Sequence, residues 1–282
     1  MKAYHDLVRR VLENGIRKKN RTGVDTISSF AESYRVDLSE GFPLLTTKKV
    51  PFRSVILELL WYLRGEDHIR WLRDENDCHI WDAWAREDGH VGPIYPVLWR
   101  KFPYYEEEEI DLEGIAARFR KTVSNKKQFD QIANALELLR TEPNSRRIVV
   151  SAWHPGLLPA MALPPCHVMF IFNVADGKLN CHLTQRSGDI ALGIPFNMAC
   201  YSALTMVMAR LSGHEPGEFV HTIVDAHIYV NHVDGLREQL KRKPYSLPRL
   251  EIEATDINNL KLSDFKLKDY RFHPRIAFEV AV

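Results

Sequence analysis

Pro164-Pro165-Cys166-His167, a strand-like run over 168–174, the triplet Ala175-Asp176-Gly177 and a second strand-like run over 178–186 decide how this chain folds and where its chemistry sits. An Asp-Gly pair between two such runs predicts a β-hairpin, because the favoured two-residue turn needs residues that tolerate positive φ. The hairpin returns Arg186 to the neighbourhood of Cys166 and His167. A thiol next to an imidazole, with a guanidinium brought alongside, describes an activated nucleophile, since the thiolate is the reactive form and a cation favours it. Pro164 and Pro165 constrain the loop that carries the thiol. Gln185-Arg186-Ser187-Gly188-Asp189 and Leu192-Gly193-Ile194-Pro195-Phe196-Asn197 follow. They crowd donors and acceptors suited to an anion and to flat nitrogen heterocycles.

Working outward, Cys200, Leu204, Val207, Met208 and Leu211 recur at helical spacing and predict a buried helix. Residues 219–230 read as a long strand, and Asn231 is placed to cap a following helix. Upstream, 52–64 is apolar almost all round, the pattern of a helix with no solvent face. Tyr4, Leu7, Val8, Val11, Leu12 and Ile16 predict an amphipathic helix over 4–17. A further helix should carry Phe129, Ile132, Ala133, Leu136 and Leu139, followed by a turn at 142–147 and a strand at 148–153. The 104–127 stretch, with glutamates at 106–109 and Lys126-Lys127, reads as a solvated surface loop inserted between elements. No repeat, low-complexity tract or Pro/Gly linker divides the chain. One α+β domain over 1–282 is the expectation.

The 282 residues suffice to bury a full core, and 45% hydrophobic with 27% charged content is ordinary for a globular protein. A net charge of +1 gives no global attraction to nucleic acid or anionic membrane, so an anionic ligand must be held by a local arginine cluster. No stretch has the apolar length of a membrane span, and the N-terminus lacks a signal-peptide core. Cys78, Cys166, Cys181 and Cys200 show neither a disulfide framework nor metal-ligand spacing, so no metal and a cytoplasmic setting are expected.

Glu58 stands in the middle of the apolar 52–64 helix. An unpaired buried carboxylate is costly, so it needs either an arginine partner or a chemical task as a general acid/base with raised pKa; the second reading is preferred. Arg21, Arg146, Arg147 and Arg186 all lie at turns or strand ends, and their forked donors suit phosphate oxygens. Surface ion pairing is the plain alternative for any one of them, least so for Arg186. Trp81 and Trp84 read from spacing alone as core, although two tryptophans three apart could also stack on a flat ring. Cys78, Cys181 and Cys200 read as packing.

Taken together, the motifs resemble the thymidylate synthase family nearly end to end. The resemblance is carried by Arg21-Thr22-Gly23, Gly41-Phe42-Pro43-Leu44-Leu45-Thr46-Thr47-Lys48, Glu58-Leu59-Leu60-Trp61, Ile80-Trp81-Asp82 and Gly92-Pro93-Ile94-Tyr95. Ser145-Arg146-Arg147, Pro165-Cys166-His167, Gln185-Arg186-Ser187, Gly193-Ile194-Pro195-Phe196-Asn197, Asp225-Ala226-His227-Ile228-Tyr229 and Ala281-Val282 continue it. It implies a large mixed β-sheet packed by helices, with two such sheets back to back in a homodimer. It also implies methylation of deoxyuridylate (dUMP) to thymidylate, with 5,10-methylenetetrahydrofolate as cosubstrate. By resemblance, Cys166 would add to C6 of uracil and make C5 a nucleophile. Arg186 would lower the thiol pKa and share the phosphate with Arg21, Ser187 and, from the partner subunit, Arg146 and Arg147. Asn197 would read the pyrimidine edge, and His227 with Tyr229 the sugar hydroxyl. Glu58 would relay protons, while Tyr95 and His167 would support proton removal at C5. Asp189 would bind the pterin, within a wall of Ile80, Trp81, Trp84 and Leu192, and Val282 would close the site.

This chain departs from the family pattern at four places. Pro96-Val97-Leu98 replace a glycine and a polar pair, and Ile171 replaces a glutamine. Val224 and Asp269 stand where small residues or glycine are usual. Pro96 and Ile171 bear on the support of the site and on the subunit interface. Three alternatives stand beside the expected activity. A dUMP hydroxymethylase lets water finish the reaction, and the presence of Trp81 speaks against it. A deoxycytidylate enzyme would favour aspartate over Asn197. A non-catalytic nucleotide- or RNA-binding relative would have no need of both Cys166 and Glu58.

Overall fold

The computed structural model describes residues 1–110 and 121–280. Helix α1 (Lys2–Asn14) buries Tyr4, Leu7, Val8 and Val11, spaced to fall on one face. It stops two residues short of Ile16, which the periodicity had placed on the same face. Ile16 instead opens the short strand β1 (Ile16–Lys18) and is 71% exposed. Strand β2 (Thr26–Asp37) follows. Helix α2 (Phe52–Arg64) matches its expected bounds, buries nine consecutive residues from Val55 to Leu63, and ends at Gly65 in the left-handed conformation, φ +70°.

After α3 (Arg70–Arg73) comes α4 (Tyr95–Arg100), with Pro96 in its first turn. A proline is accommodated there because the first helical amides have no acceptor within the helix. Gly92, φ +74°, precedes it, and a Cβ at that position would collide with the Ala160 carbonyl. Glycine is therefore what lets the 160–162 segment pass close on its way to Cys166.

The 104–127 stretch is not the expected loop. Strands β3 (Phe102–Ile110) and β4 (Lys121–Phe129) form a two-stranded antiparallel ribbon from Phe102↔Phe129 to Ile110↔Lys121, and the middle of the stretch lies outside the described residues. Strands that pair only with each other need no alternating apolar face, so charge density concealed them. Phe129 accordingly ends a strand, and helix α5 (Gln131–Thr141) begins after Asp130, whose carboxylate caps it by accepting the Ala133 amide at 2.9 Å. Strand β5 (Val149–Ser151) is shorter than expected.

The hairpin of β6 (His167–Ala175) and β7 (Lys178–Asp189) is present, with Asp176 and Gly177 both at positive φ (+50° and +70°). Helix α6 (Gly193–Ser212) is central and nearly wholly buried. Strand β8 (Glu215–Tyr229) and α7 (Val233–Lys241) follow. Asn231 does not cap α7; its amide donates to Glu279 at 3.2 Å across a short 3-10 turn. Strands β9 (Arg249–Ile252) and β10 (Phe265–Lys268) make a small separate ribbon.

The main sheet has the order β1-β2-β8-β7-β6-β5, antiparallel except for the parallel pair β7–β8. Val150, Phe170, Phe172, Leu183, Phe219 and Ile223 point to one face and are buried with α2 and α6 in a contiguous core. This is the α+β, mixed-sheet architecture that was expected. The opposite face carries Val149, Met169, Ile171, His182, Val220 and Thr222, all only half-buried. Ile171 thus sits on the open side of the sheet, away from the helix-covered core. Among the described residues no helix is long and apolar enough to cross a membrane.

Candidate active site around Cys166

Cys166 is the last residue before β6, and the loop bearing it is pinned from two sides. Arg186 on β7 donates from Nε to the Pro165 carbonyl at 2.9 Å and from Nη2 to the Pro164 carbonyl at 2.8 Å. The same Nη2 lies 3.8 Å from the Cys166 Sγ. Below, the Arg186 amide donates to the Cys166 carbonyl at 2.9 Å. From the first turn of α4, the Tyr95 hydroxyl oxygen accepts the Cys166 amide at 2.6 Å and the His167 amide at 3.4 Å. The Arg186 Nη1 meets no described group, which leaves it for an anion.

The expectation that Arg186 lowers the thiol pKa holds in sign but does not prevail within this chain. Burial pushes the Cys166 thiol above its ordinary value, and Arg186, Tyr95 and Arg21 pull it back only in part. Further cationic charge, or transient stabilisation of the thiolate as it attacks, would complete the activation.

Glu58 on α2 is 8% exposed, and no arginine meets it among the described residues. Its Oε1 accepts the Trp81 indole N–H at 2.9 Å. Burial lifts its pKa to about 7, against smaller opposing effects from Trp81 and Tyr62. The carboxyl is therefore available in both protonation states near neutrality, as a proton relay requires. Trp81 belongs to the core, as spacing suggested, with ring centroids 5.2 Å from Trp61, 5.8 Å from Trp84 and 6.0 Å from Tyr95. Yet its polar edge serves Glu58, so one residue does both.

His167 is buried between Tyr95 (centroids 4.8 Å) and Tyr201 (5.2 Å). Desolvation pulls its pKa down to about 4, with Asn197 acting in the opposite direction. The ring is neutral at neutral pH and cannot serve as a cation beside the thiol. Asn197 is buried in the first turns of α6.

On β8, His227 Nδ1 lies 3.2 Å from the Asp225 carbonyl and 3.4 Å from its carboxylate, edge-on to Tyr229 at 5.3 Å. His227 and the Ser28 hydroxyl, which donates at 2.8 Å, hold the Asp225 carboxyl far below the usual range. Ser187 on β7 stands opposite Asp225 in the parallel register. Arg21 is exposed in the turn after β1, where its charge reaches both Cys166 and Tyr229. Asp189 accepts the Ala191 amide at 2.8 Å, and Ile80, Trp84 and Leu192 present half-buried apolar surface.

Arg146 and Arg147 are the exception. Both are exposed before β5, with no ion pair to any described residue and no contact joining them to the Cys166 group. Val282 lies outside the described residues. The structure adds two groups that sequence reading did not single out. Tyr62, one turn beyond Glu58, hydrogen-bonds to it. Lys48 is buried, donates to the Ala191 carbonyl at 2.5 Å and lies 4.7 Å from the Phe278 ring, its pKa drawn down to about 8 by desolvation. Tyr62 has no motif signal, and Lys48 closes the Gly41–Lys48 motif without any role being read for it there; each becomes special through burial.

A thiol in a pinned loop, an arginine with one nitrogen unbonded among the described residues, a buried carboxyl whose pKa is raised to about 7 and a histidine-tyrosine pair are thus supplied by α2, α4, β6, β7 and β8. A family model described as thymidylate synthase matches residues 2–282, and the chain belongs to the thymidylate synthase family, whose chemistry is folate-dependent dUMP methylation or a close relative of that reaction.

Proposed function

We propose that this chain makes thymidylate by reductive methylation of dUMP with 5,10-methylenetetrahydrofolate. The observation that carries the reading is the Cys166 thiol 3.8 Å from the Arg186 guanidinium in a loop held by that arginine and by Tyr95. The Cys166 sulfur forms a bond to C6 of uracil, and the C5=C6 electron pair moves toward C4–O4, so C5 becomes nucleophilic. Asn197 offers one acceptor and one donor to the N3/O4 edge. Arg186, Arg21 and Ser187 hold the phosphate, and His227 with Tyr229 holds the 3′-hydroxyl. Glu58 receives and returns protons at the base, and Tyr95 with His167 assists loss of the C5 proton. The folate supplies the one-carbon unit and the hydride. Ile80, Trp84 and Leu192 fit its flat apolar rings, and the Asp189 carboxylate fits their N–H groups. Four unpaired thiols suit a reducing compartment such as the cytoplasm.

Incubation with dUMP and methylenetetrahydrofolate should yield thymidylate and dihydrofolate in equal amounts, measured by chromatography. Mainly 5-hydroxymethyl product with tetrahydrofolate would instead assign the hydroxymethylase activity.

The working unit in this reading is a homodimer packed through the open sheet face, where Val149, Met169, Ile171 and Val220 await cover. Arg146 and Arg147, at the edge of that sheet and without an ion-pair partner among the described residues, would then reach the phosphate of the other subunit. Arg147→Ala and Cys166→Ser should each be inactive alone. Mixed and allowed to exchange, they should regain up to about a quarter of wild-type activity, because half the dimers are hybrids with one intact site. No recovery despite proven exchange defeats the shared site.

A further inference from the structure

Behind the Cys166 loop runs a buried chain of side-chain hydrogen bonds that the reaction scheme leaves unused. The Tyr34 hydroxyl is 2.9 Å from His221 Nδ1, His221 Nε2 is 2.9 Å from Gln185 Oε1, and Gln185 Nε2 donates to the Ser187 carbonyl at 2.8 Å. Tyr34 and His221 are direct cross-strand partners on β2 and β8, and Gln185 lies on β7 two residues beyond Leu183, the partner of His221. All three side chains are almost wholly buried, His221 completely.

The direction of the chain is dictated by its last member. A backbone carbonyl can only accept, so the Gln185 amide nitrogen must face Ser187 and its oxygen must face His221. His221 therefore carries its proton on Nε2, and its Nδ1 accepts from Tyr34. Burial holds the His221 ring neutral, which preserves this arrangement at neutral pH. The Gln185 amide also lies directly under Gly188, where a Cβ would come within 3.3 Å of its nitrogen and 2.6 Å of Ile194 Cδ1. The backbone at Gly188 thus passes close over the end of the chain.

We propose that His221 is a positioning residue: through Gln185 it fixes the Ser187 carbonyl, and with it the Arg186–Ser187 segment that receives the anionic end of the nucleotide. The binding part of this inference rests on the reading of that segment as the phosphate site of dUMP. Removing the imidazole leaves the Gln185 oxygen buried without a donor, so the amide is free to turn and release Ser187.

His221→Phe fills the space without the hydrogen bonds. Amide exchange at Arg186, Ser187 and Gly188 should accelerate about tenfold relative to amides of α2, and the KM for dUMP should rise about tenfold with kcat changed less than about threefold. His221→Gln, which can keep a donor on Gln185, should restore most of both. Tyr34→Phe, which removes only the first hydroxyl, should act in the same direction more weakly, and it carries the test if His221→Phe does not fold. Unchanged relative exchange at 186–188 in these variants, or loss of global stability with dUMP KM unchanged, overturns the proposal. If the wild-type protein binds no dUMP, the nucleotide reading falls, and the exchange measurement still decides whether His221 positions the segment.

Discussion

Replacing Cys166 with serine is expected to lower turnover about 10⁴-fold or more while the fold is retained. A hydroxyl has too high a pKa to attack C6, and the Arg186 guanidinium 3.8 Å away cannot close that gap. The covalent intermediate can be trapped directly. With 5-fluorodeoxyuridylate the C5 substituent cannot leave as a proton, so a ternary adduct should persist on the intact chain, detectable by mass spectrometry only when methylenetetrahydrofolate is also present. Attachment should be confined to Cys166. Burial drives the Cys78 and Cys200 thiols up and pushes Cys181 to about 12; among the described residues only Cys78 feels a guanidinium, that of Arg53, and burial outweighs it. An adduct in the serine variant, or one mapped to another cysteine, would remove Cys166 from the mechanism.

Glu58→Gln carries the second large effect. The amide keeps the shape and can still accept the Trp81 indole N–H, but it cannot take up or release a proton. The expected loss in kcat is about 10²–10⁴-fold with dUMP binding within a few-fold of wild type, because Glu58 sits on α2 and not among the phosphate-binding arginines. Near-full turnover would refute the relay.

The same substitution should stabilise the fold, in a pH-dependent way. The carboxyl titrates at about 7 when folded against 4.5 unfolded, so the folded state holds its proton more tightly. That preference contributes stability in full below about pH 4.5, and the contribution is lost as pH rises through 7. At pH 8 the buried carboxylate is a net cost of about 3 kcal/mol even with its Trp81 and Tyr62 hydrogen bonds, which the glutamine avoids. Denaturant unfolding should therefore show Glu58→Gln more stable than wild type at pH 8 and nearly equal at pH 5. A difference that does not vary with pH would mean that Glu58 titrates normally.

The departures from the family pattern resolve differently once placed in the fold. Pro96 fits the first turn of α4, where it costs no hydrogen bond. Asp269 adopts φ +60°, a conformation glycine takes freely and aspartate tolerates better than most residues. Ile171 has no part in the Cys166 cluster; it lies on the open sheet face, where an apolar residue strengthens the case for a second copy.

The sequence by itself determined the features that depend on a few consecutive residues. Asp176-Gly177 set the hairpin turn and therefore the return of Arg186 to Cys166, and the apolar run at 52–64 set α2 with Glu58 inside it. These are short-range matters of φ preference and side-chain periodicity. Where the signal was only a continuation of a period, it overran: Ile16 and Phe129 share the spacing of the adjacent helices but lie in strands, because the chain breaks at Gly15 and at the Asp130 cap. The upward direction for Glu58 was legible from its apolar helix, but tertiary structure decided the extent and the rest of the electrostatics. The rise of Glu58 to about 7, the fall of His167 to about 4 and the net upward shift of Cys166 each sum desolvation from segments far apart in the chain. It also decided that Tyr34, His221, Gln185 and Ser187 form one line, since their alignment depends on the register of three strands and no single strand encodes it.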